Sequence, residues 1–98
     1  MPIAEYKTSD YLTDPETIAA YLELAMEDPD PRILMMALRN VAEARGVKEI
    51  AEETGLNRQT LYRTLSEKGN PTLQTLSSLL RSLGLRLSVK PETTAISV

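Results

Sequence analysis

The sequence predicts an all-α fold of five helices, with one short β-strand at its C-terminal end. Its 98 residues are the length of one small domain, and 42% of them are hydrophobic. Leu occurs 15 times and Ala 9 times, without any Phe or Trp, so the core must consist of small and medium aliphatic side chains. These side chains recur at helical spacing, and prolines and glycines separate the periodic stretches.

Two helices are predicted in the first half of the chain. The first covers 15–27, because Asp14 can cap it and Pro15 suits its first turn. The second covers 31–45, with Asp30 as its cap and Gly46 at its end. The side chains predicted to face inward are Ile18, Tyr21, Leu22, Ala25, Leu34, Ala37, Leu38, Val41 and Ala42.

Three shorter helices follow. The third helix covers 48–54 and ends at Gly55, and the fourth begins after Asn57 and runs to about Lys68. The sequence Gly-Asn-Pro at 69–71 breaks it, and the fifth helix opens at Thr72 and ends at Gly84. Their predicted inward side chains are Val47, Ile50, Ala51, Leu61, Leu65, Leu73, Leu76, Leu79, Leu80 and Leu83.

The apolar period changes from 3.6 to 2 after the fifth helix. Leu85, Leu87 and Val89 alternate with polar residues, which predicts a half-buried strand that Pro91 ends. A lone strand needs a partner, either an N-terminal segment near 3–6 or the same strand of a second copy. We favour the second arrangement, in which these three residues form a homodimer interface.

Absent residue types exclude several kinds of chemistry. Without Cys there is no disulfide, thiolate nucleophile or cysteine zinc site, and without His there is no Ser–His relay or imidazole ligand. We therefore expect neither an enzyme nor a bound metal or cofactor. Apolar runs are too short to span a membrane, and the N-terminus lacks the features of a secretory signal. These observations predict a soluble, cytoplasmic protein.

Charge is divided unevenly along the chain. Residues 1–46 carry nine acids and four bases, a net charge of −5, whereas 55–90 carry six bases and the single acid Glu67. Chance scatter of solvated charges would explain this pattern without a function. The alternative is a polyanionic partner for the second half of the chain.

The stretch 47–66 has the spacing of two short helices joined by a tight turn. A small residue stands where such helices cross, a glycine opens the turn four positions later, and an apolar residue follows the glycine. This pattern resembles the helix-turn-helix of Cro/repressor-type, lambda-repressor-like DNA-binding domains. The residues that carry it are Ile50, Ala51, Gly55, Leu56, Asn57, Leu61 and Leu65. Thr64 departs from the pattern, and Leu65 is expected to take over its packing.

The outward face of the second helix of this motif is basic and polar, with no acid before Glu67. Arg63 suits guanine O6/N7 and Gln59 suits adenine N6/N7, as in a major groove. Arg58, Thr60, Tyr62 and Lys68 are better placed for phosphates. The DNA-binding residues are thus predicted as Arg58, Gln59, Thr60, Tyr62, Arg63, Ser66 and Lys68.

Four of these residues also have a purely structural interpretation. Arg58 could instead pair with Glu52 or Glu53, and Tyr62 could be partly buried against the fifth helix. Gln59 and Arg63 could simply be solvated surface residues.

Across about 9–90 the chain also resembles the addiction-module antidote family, the HigA-type antitoxins. The matching residues are Tyr11, Leu12, Asp14 to Glu16, 18–22, Ala37, Leu38, 42–46, Ile50, Ala51, 53–56, Arg58, Leu61, Tyr62, 69–71 and 83–88. We expect an N-terminal segment with an added helix over 1–30, a Cro/repressor-type helix-turn-helix domain with the C-terminal strand over 31–90, and a flexible tail over 91–98.

The same resemblance implies two activities for the chain. One is repression of its own operon by a dimer bound to double-stranded operator DNA; the other is neutralisation of a small basic RelE/ParE-like toxin by direct binding. The acids of 5–30 and the first helix are candidates for toxin contact, or an ordinary solvated face. The alternatives are a stand-alone or phage-type repressor without a toxin, and a protein-interaction module that has lost DNA binding.

Overall fold

The computed structural model describes residues 14–92, and these form five α-helices. They are α1 (Pro15–Met26), α2 (Pro31–Arg45), α3 (Val47–Thr54), α4 (Arg58–Thr64) and α5 (Leu73–Ser82). Within these residues the prediction of five α-helices is confirmed, and each observed helix starts within one residue of its predicted start. None of these helices is both long enough and apolar enough to cross a membrane.

One hydrophobic core joins all five helices. α1 packs against α2, and α3 lies centrally, in contact with α2, α4 and α5. The buried apolar side chains are Ile18, Leu22, Ala25, Met35, Ala37, Leu38, Val41, Ala42, Ile50, Ala51, Leu61, Leu65, Leu79, Leu80 and Leu83. No polar or charged side chain within 14–92 is buried. Burial of this apolar surface is therefore the main force that holds the helices together.

Side-chain caps explain where four of the helices begin. The Asp14 carboxylate accepts a hydrogen bond from the Thr17 backbone N–H at 2.8 Å, and Asp30 caps α2 in the same manner. Asn57 and Thr72 accept from backbone N–H groups at the starts of α4 and α5. Each cap satisfies a donor that the first helical turn leaves without a partner.

α4 is shorter than the sequence predicts, because it ends at Thr64 instead of near Lys68. The chain turns back there, and the Gly69 N–H donates to the Ser66 carbonyl at 2.8 Å. A Cβ on Gly69 would lie 1.8 Å from the Thr64 carbonyl oxygen, so only glycine fits this close approach. The glycine thus ends the helix earlier than the apolar spacing alone suggests.

The core predictions hold with a few exceptions. Leu73 was predicted to face inward, but its side chain is 72% exposed, since it lies at the first position of α5. Tyr21, Leu34, Val47 and Leu76 are only partly buried at the edge of the core. Met35 is buried although the helical spacing did not select it.

The predicted C-terminal strand is wrong for the single chain, since no β-strand occurs within residues 14–92. Leu85 is partly buried against the core, whereas Leu87 and Val89 are 40% and 98% exposed. The physical reason is the absence of a second strand within 14–92 to accept and donate the ladder hydrogen bonds. One predicted pairing partner, the segment near 3–6, lies outside the described residues, as do most of the predicted tail and the acids at 5 and 10.

Candidate nucleic-acid interface

A three-residue turn, 55–57, sets the angle between α3 and α4. Gly55 has φ 79° and ψ 4°, the left-handed conformation that glycine adopts without steric cost, and its N–H donates to the Ala51 carbonyl at 2.9 Å. Leu56 follows it and packs against the core. The Asn57 side-chain oxygen then accepts from the Thr60 N–H at 2.7 Å and begins α4. Every position of the predicted turn therefore has the geometry that its residue type suggested.

Two buried leucines fix which face of α4 points outward. Leu61 and Leu65 are 1% and 2% exposed, and Ile50 of α3 is completely buried beside them in the core. Leu65 therefore provides the packing that Thr64, which is only half-buried, does not. Because the buried side occupies one face of the helix, the side chains on the opposite face point toward solvent.

The solvent-facing side chains of α4 are the ones predicted to contact DNA. Arg58, Gln59 and Arg63 are exposed, Tyr62 is 38% exposed, and Thr60 is partly buried. α4 contains no acidic residue. Neither Arg58 nor Arg63 forms an ion pair with another residue of 14–92, so the interpretation in which Arg58 pairs with Glu52 or Glu53 is not observed. Two guanidinium groups of this face are therefore open to an anionic partner.

Ser66 and Lys68 do not lie on the helix itself. Both belong to the turn after α4, where the Ser66 hydroxyl donates to the Arg63 carbonyl at 2.8 Å. Lys68 is exposed in the same turn. Ser66 is thus part of the end of α4, and Lys68 extends the basic surface beyond it.

Tyr62 lies against Arg39 of α2, a contact that no pattern in the sequence predicts. The guanidinium carbon of Arg39 lies 5.3 Å from the centroid of the Tyr62 ring, within the range of a cation–π interaction. The alternative of burial against the fifth helix is not what the structure shows for Tyr62, since its aromatic ring lies beside a cation of α2. The predicted site residues do not include Arg39, because it is remote from the motif along the chain.

The exposed face of α1 differs in character from that of α4. Leu24 and Met26 are 67% and 55% exposed, and the acidic side chains around them, Glu16, Glu23 and Glu27, are exposed as well. The segment after α5 lies beside this face, because Lys90 Nζ contacts Glu23 Oε2 at 2.9 Å, and the ion pair raises the pKa of Lys90. A cleft lined by Met26, Val89 and Pro91 separates the segment from α1.

Two carboxyl groups have lowered pKa values, and both are helix caps. Hydrogen bonds from the backbone and hydroxyl of Thr17 lower the pKa of Asp14. The Arg32 side chain, followed by its backbone N–H, lowers the pKa of Asp30. Within 14–92, no group of three potential metal ligands occurs. The groups within 14–92 whose pKa values shift therefore cap helix ends or belong to surface ion pairs.

Comparison with known proteins identifies the family. Residues 2–91 match the family described as "Probable addiction module antidote protein". A protein of Haemophilus influenzae, described as "Uncharacterized protein", is 31% identical over 88 residues, which cover 90% of this chain and 91% of that protein. No solved structure matches the chain. Antidote proteins of this kind are typically not enzymes. With nearly its whole length matched, the chain belongs to the family of probable addiction module antidote proteins.

Proposed function

We propose that this antidote is the antitoxin of a type II toxin–antitoxin module, and that it binds its operator DNA through a helix-turn-helix formed by α3 and α4. One observation carries the proposal: α4 turns its apolar side into the core and exposes a face with two unpaired arginines, a glutamine and no acid. An ordinary solvated helix mixes both signs of charge, as α3 does with its lysine and three glutamates. A face of this kind suits the major groove.

In the proposed complex α4 lies in the major groove. Arg63 donates to guanine O6 and N7, and Gln59 pairs with adenine N6 and N7. Arg58, Thr60, Tyr62 and Lys68 contact phosphates on either side and fix the orientation of the helix. Ser66, whose hydroxyl is already bonded within the chain, lies at the edge of this contact. The complex requires no cofactor.

We propose that the DNA-binding form is a homodimer. Two copies would place their α4 helices in successive major grooves, about 34 Å apart, on a roughly palindromic site. The segment with Leu85, Leu87 and Val89 has the alternation of a strand, and the last two side chains are exposed in the single chain. Pairing with the same segment of a second copy would cover them and supply the missing ladder. The bound dimer would then repress its operon by excluding polymerase.

A binding assay on the DNA upstream of the gene tests this proposal. Fluorescence anisotropy should show tight binding that weakens steeply with salt, because phosphate contacts release counterions. Arg63→Ala should lower affinity for this duplex by about 10- to 100-fold, since a bidentate base contact contributes about 1–3 kcal/mol of discrimination. Arg81→Ala, which removes an exposed arginine from α5, is the matched control. Unchanged affinity of Arg63→Ala would contradict the proposed docking of α4.

The second half of the proposal is neutralisation of a small basic toxin of the RelE/ParE-like class by direct binding. The acidic and apolar face of α1 supports it, because exposed leucine and methionine next to glutamates suit a partner with cationic and apolar side chains. This face and the α4 face belong to different helices, so the two activities have separate surfaces.

Coexpression with the adjacent gene tests toxin binding. We expect a small basic reading frame beside this one, and its product should copurify with the tagged antidote. A chain that binds its upstream DNA but has no such neighbour would instead be a stand-alone or phage-type repressor. A chain that captures the neighbour's product but binds no duplex even at low salt would be a protein-interaction module.

A further inference from the structure

We propose that Arg39 of α2 contacts the DNA backbone next to α4, held in place by the Tyr62 ring, so that a third helix takes part in DNA binding. The inference rests on the proposed function and goes beyond its α3–turn–α4 motif. It depends on one contact: the guanidinium carbon of Arg39 lies 5.3 Å from the centroid of the Tyr62 ring. Tyr62 is on the helix that presents the proposed base-reading side chains, so Arg39 lies at the flank of that helix.

Arg39 is available to a phosphate, as its neighbours show. Its side chain is 49% exposed, and the nearest carboxylate is Glu43, 3.9 Å away at the limit of an ion pair. Arg32, seven residues earlier and on the same side of α2, is different. It donates to the Asp30 carboxylate at 2.7 and 3.0 Å, a pairing that neutralises its charge. Arg39 is therefore less strongly paired with a carboxylate than Arg32 is.

The aromatic ring explains how Arg39 would be positioned. A free arginine side chain samples many rotamers and loses that freedom when it binds. A guanidinium group above an aromatic face is already oriented, and its N–H edge stays free to donate hydrogen bonds. The Tyr62 hydroxyl belongs to the same exposed pair and can donate to the same phosphate. Two donors from two helices would then hold one phosphate and set how α4 enters the groove.

This arrangement predicts a particular effect on binding. Phosphate contacts carry no sequence information, so their loss weakens binding to all duplexes alike. Arg39→Ala should lower affinity for the upstream duplex and for a scrambled duplex by the same factor, about tenfold at low salt, and should reduce the salt slope by about one per protomer. Arg63→Ala should instead lower the preference for the upstream duplex over the scrambled one.

The experiment is an anisotropy titration of both duplexes over a series of salt concentrations, with Arg81→Ala as the control. Arg81 lines a cleft with Arg45, Glu53 and Gly84, and no residue of α4 lines it. Tyr62→Phe keeps the ring and removes the hydroxyl, and should have a smaller effect than Tyr62→Ala. Thermal melts establish that each variant is folded. If Arg39→Ala unfolds, Arg39→Lys is measured in its place. This variant keeps the charge and the alkyl stem, so it should retain most of the salt slope.

The possible results separate the two proposals. Wild-type protein that binds neither duplex at low salt would overturn DNA binding itself. Wild-type protein that binds, with a folded Arg39→Ala variant of equal affinity and equal salt slope, would overturn the role of Arg39 alone. An Arg39→Ala variant that loses discrimination without a change in slope would also overturn it, because that result assigns the side chain to a base.

Discussion

The outward faces of α1 and α4 are the most instructive contrast in this chain. Both helices bury an aliphatic stripe in the same core, through Ile18 and Leu22 in α1 and through Leu61 in α4. Their solvent sides differ in sign and polarity. α1 exposes glutamates around Leu24 and Met26, whereas α4 exposes arginine and glutamine with no acid.

This contrast separates stability from recognition. The buried stripes need only apolar side chains of suitable volume, and they resemble each other because packing imposes the same requirement on both. The solvent sides are free of that requirement, so core packing does not impose their difference. An acidic and apolar face suits a cationic protein, and a basic and polar face suits DNA. The family's identity as an antidote is consistent with this division.

The largest expected effect is on the shared core. Ile18→Ala and Leu61→Ala each remove a side chain that is 0–1% exposed, and each should lower the free energy of unfolding by about 2–5 kcal/mol. Because one core joins α1 and α4, each variant should unfold in a single transition followed by circular dichroism. The midpoint temperature of that transition should be lower than in the wild type. Leu73→Ala, at a 72% exposed position, is the control and should change stability little.

A second unfolding transition in the Ile18→Ala variant would contradict a single core shared by α1 and α4. If α1 melted early while α4 kept its DNA affinity, the two helices would belong to separate cooperative units. The exposed faces of α1 and α4 would then belong to two separately folding parts of the chain, and not to one domain with a shared core.

The next largest effect concerns the apolar part of the α1 face. Leu24→Ala and Met26→Ala together should weaken binding of the copurified basic partner by about tenfold or more, since fully burying a Leu or Met side chain in an interface contributes about 1.5–3 kcal/mol. Calorimetric titration of the purified partner measures this change. The same double variant should bind upstream DNA as the wild type does. A loss of DNA affinity would show that the two faces are not independent.

A smaller effect concerns the start of α4. Asn57→Ala removes the oxygen that accepts the Thr60 N–H at 2.7 Å, and should lower the free energy of unfolding by about 1 kcal/mol. Asn57→Asp keeps an acceptor, so it should retain most of that stability. It also places a negative charge beside the proposed DNA surface, so it should weaken DNA binding. Equal stability of Asn57→Ala and wild type in chemical denaturation would contradict the importance of this cap.

Much of the fold follows from the sequence because its signals are local. The caps Asp14, Asp30 and Asn57, and the turn at Gly55, depend on a few adjacent residues, and all have the predicted geometry. The end of α4 was misplaced because the constraint at Gly69 is a backbone approach to Thr64, which apolar spacing does not reveal. The predicted strand does not form in the single chain. Alternation of apolar and polar residues specifies which face of a strand is buried, but it does not supply a neighbouring strand to pair with.

The candidate site was partly predictable for the same reason. The angle of Gln59 and Arg63 to the leucines of the same helix predicts that they point outward, and both are exposed. Arg39 was not found, because its contact with Tyr62 joins residues 23 positions apart on different helices. No local pattern encodes such a contact. It depends on how α2 and α4 are arranged around the core, which only the three-dimensional structure shows.

The smallest effect is a pH dependence that distinguishes the starts of α1 and α4. The pKa of Asp14 lies below its ordinary value of 3.8, because the folded state stabilises the charged carboxylate. Its contribution to stability is therefore complete above that value and is lost as the pH falls through the lowered pKa. Asn57 does not titrate in this range, so the cap of α4 should be unaffected. Denaturation of wild type and Asp14→Asn between pH 6 and about pH 2 should show stability curves that converge toward acid pH. Parallel curves over the whole range would show that the Asp14 carboxylate does not stabilise the start of α1.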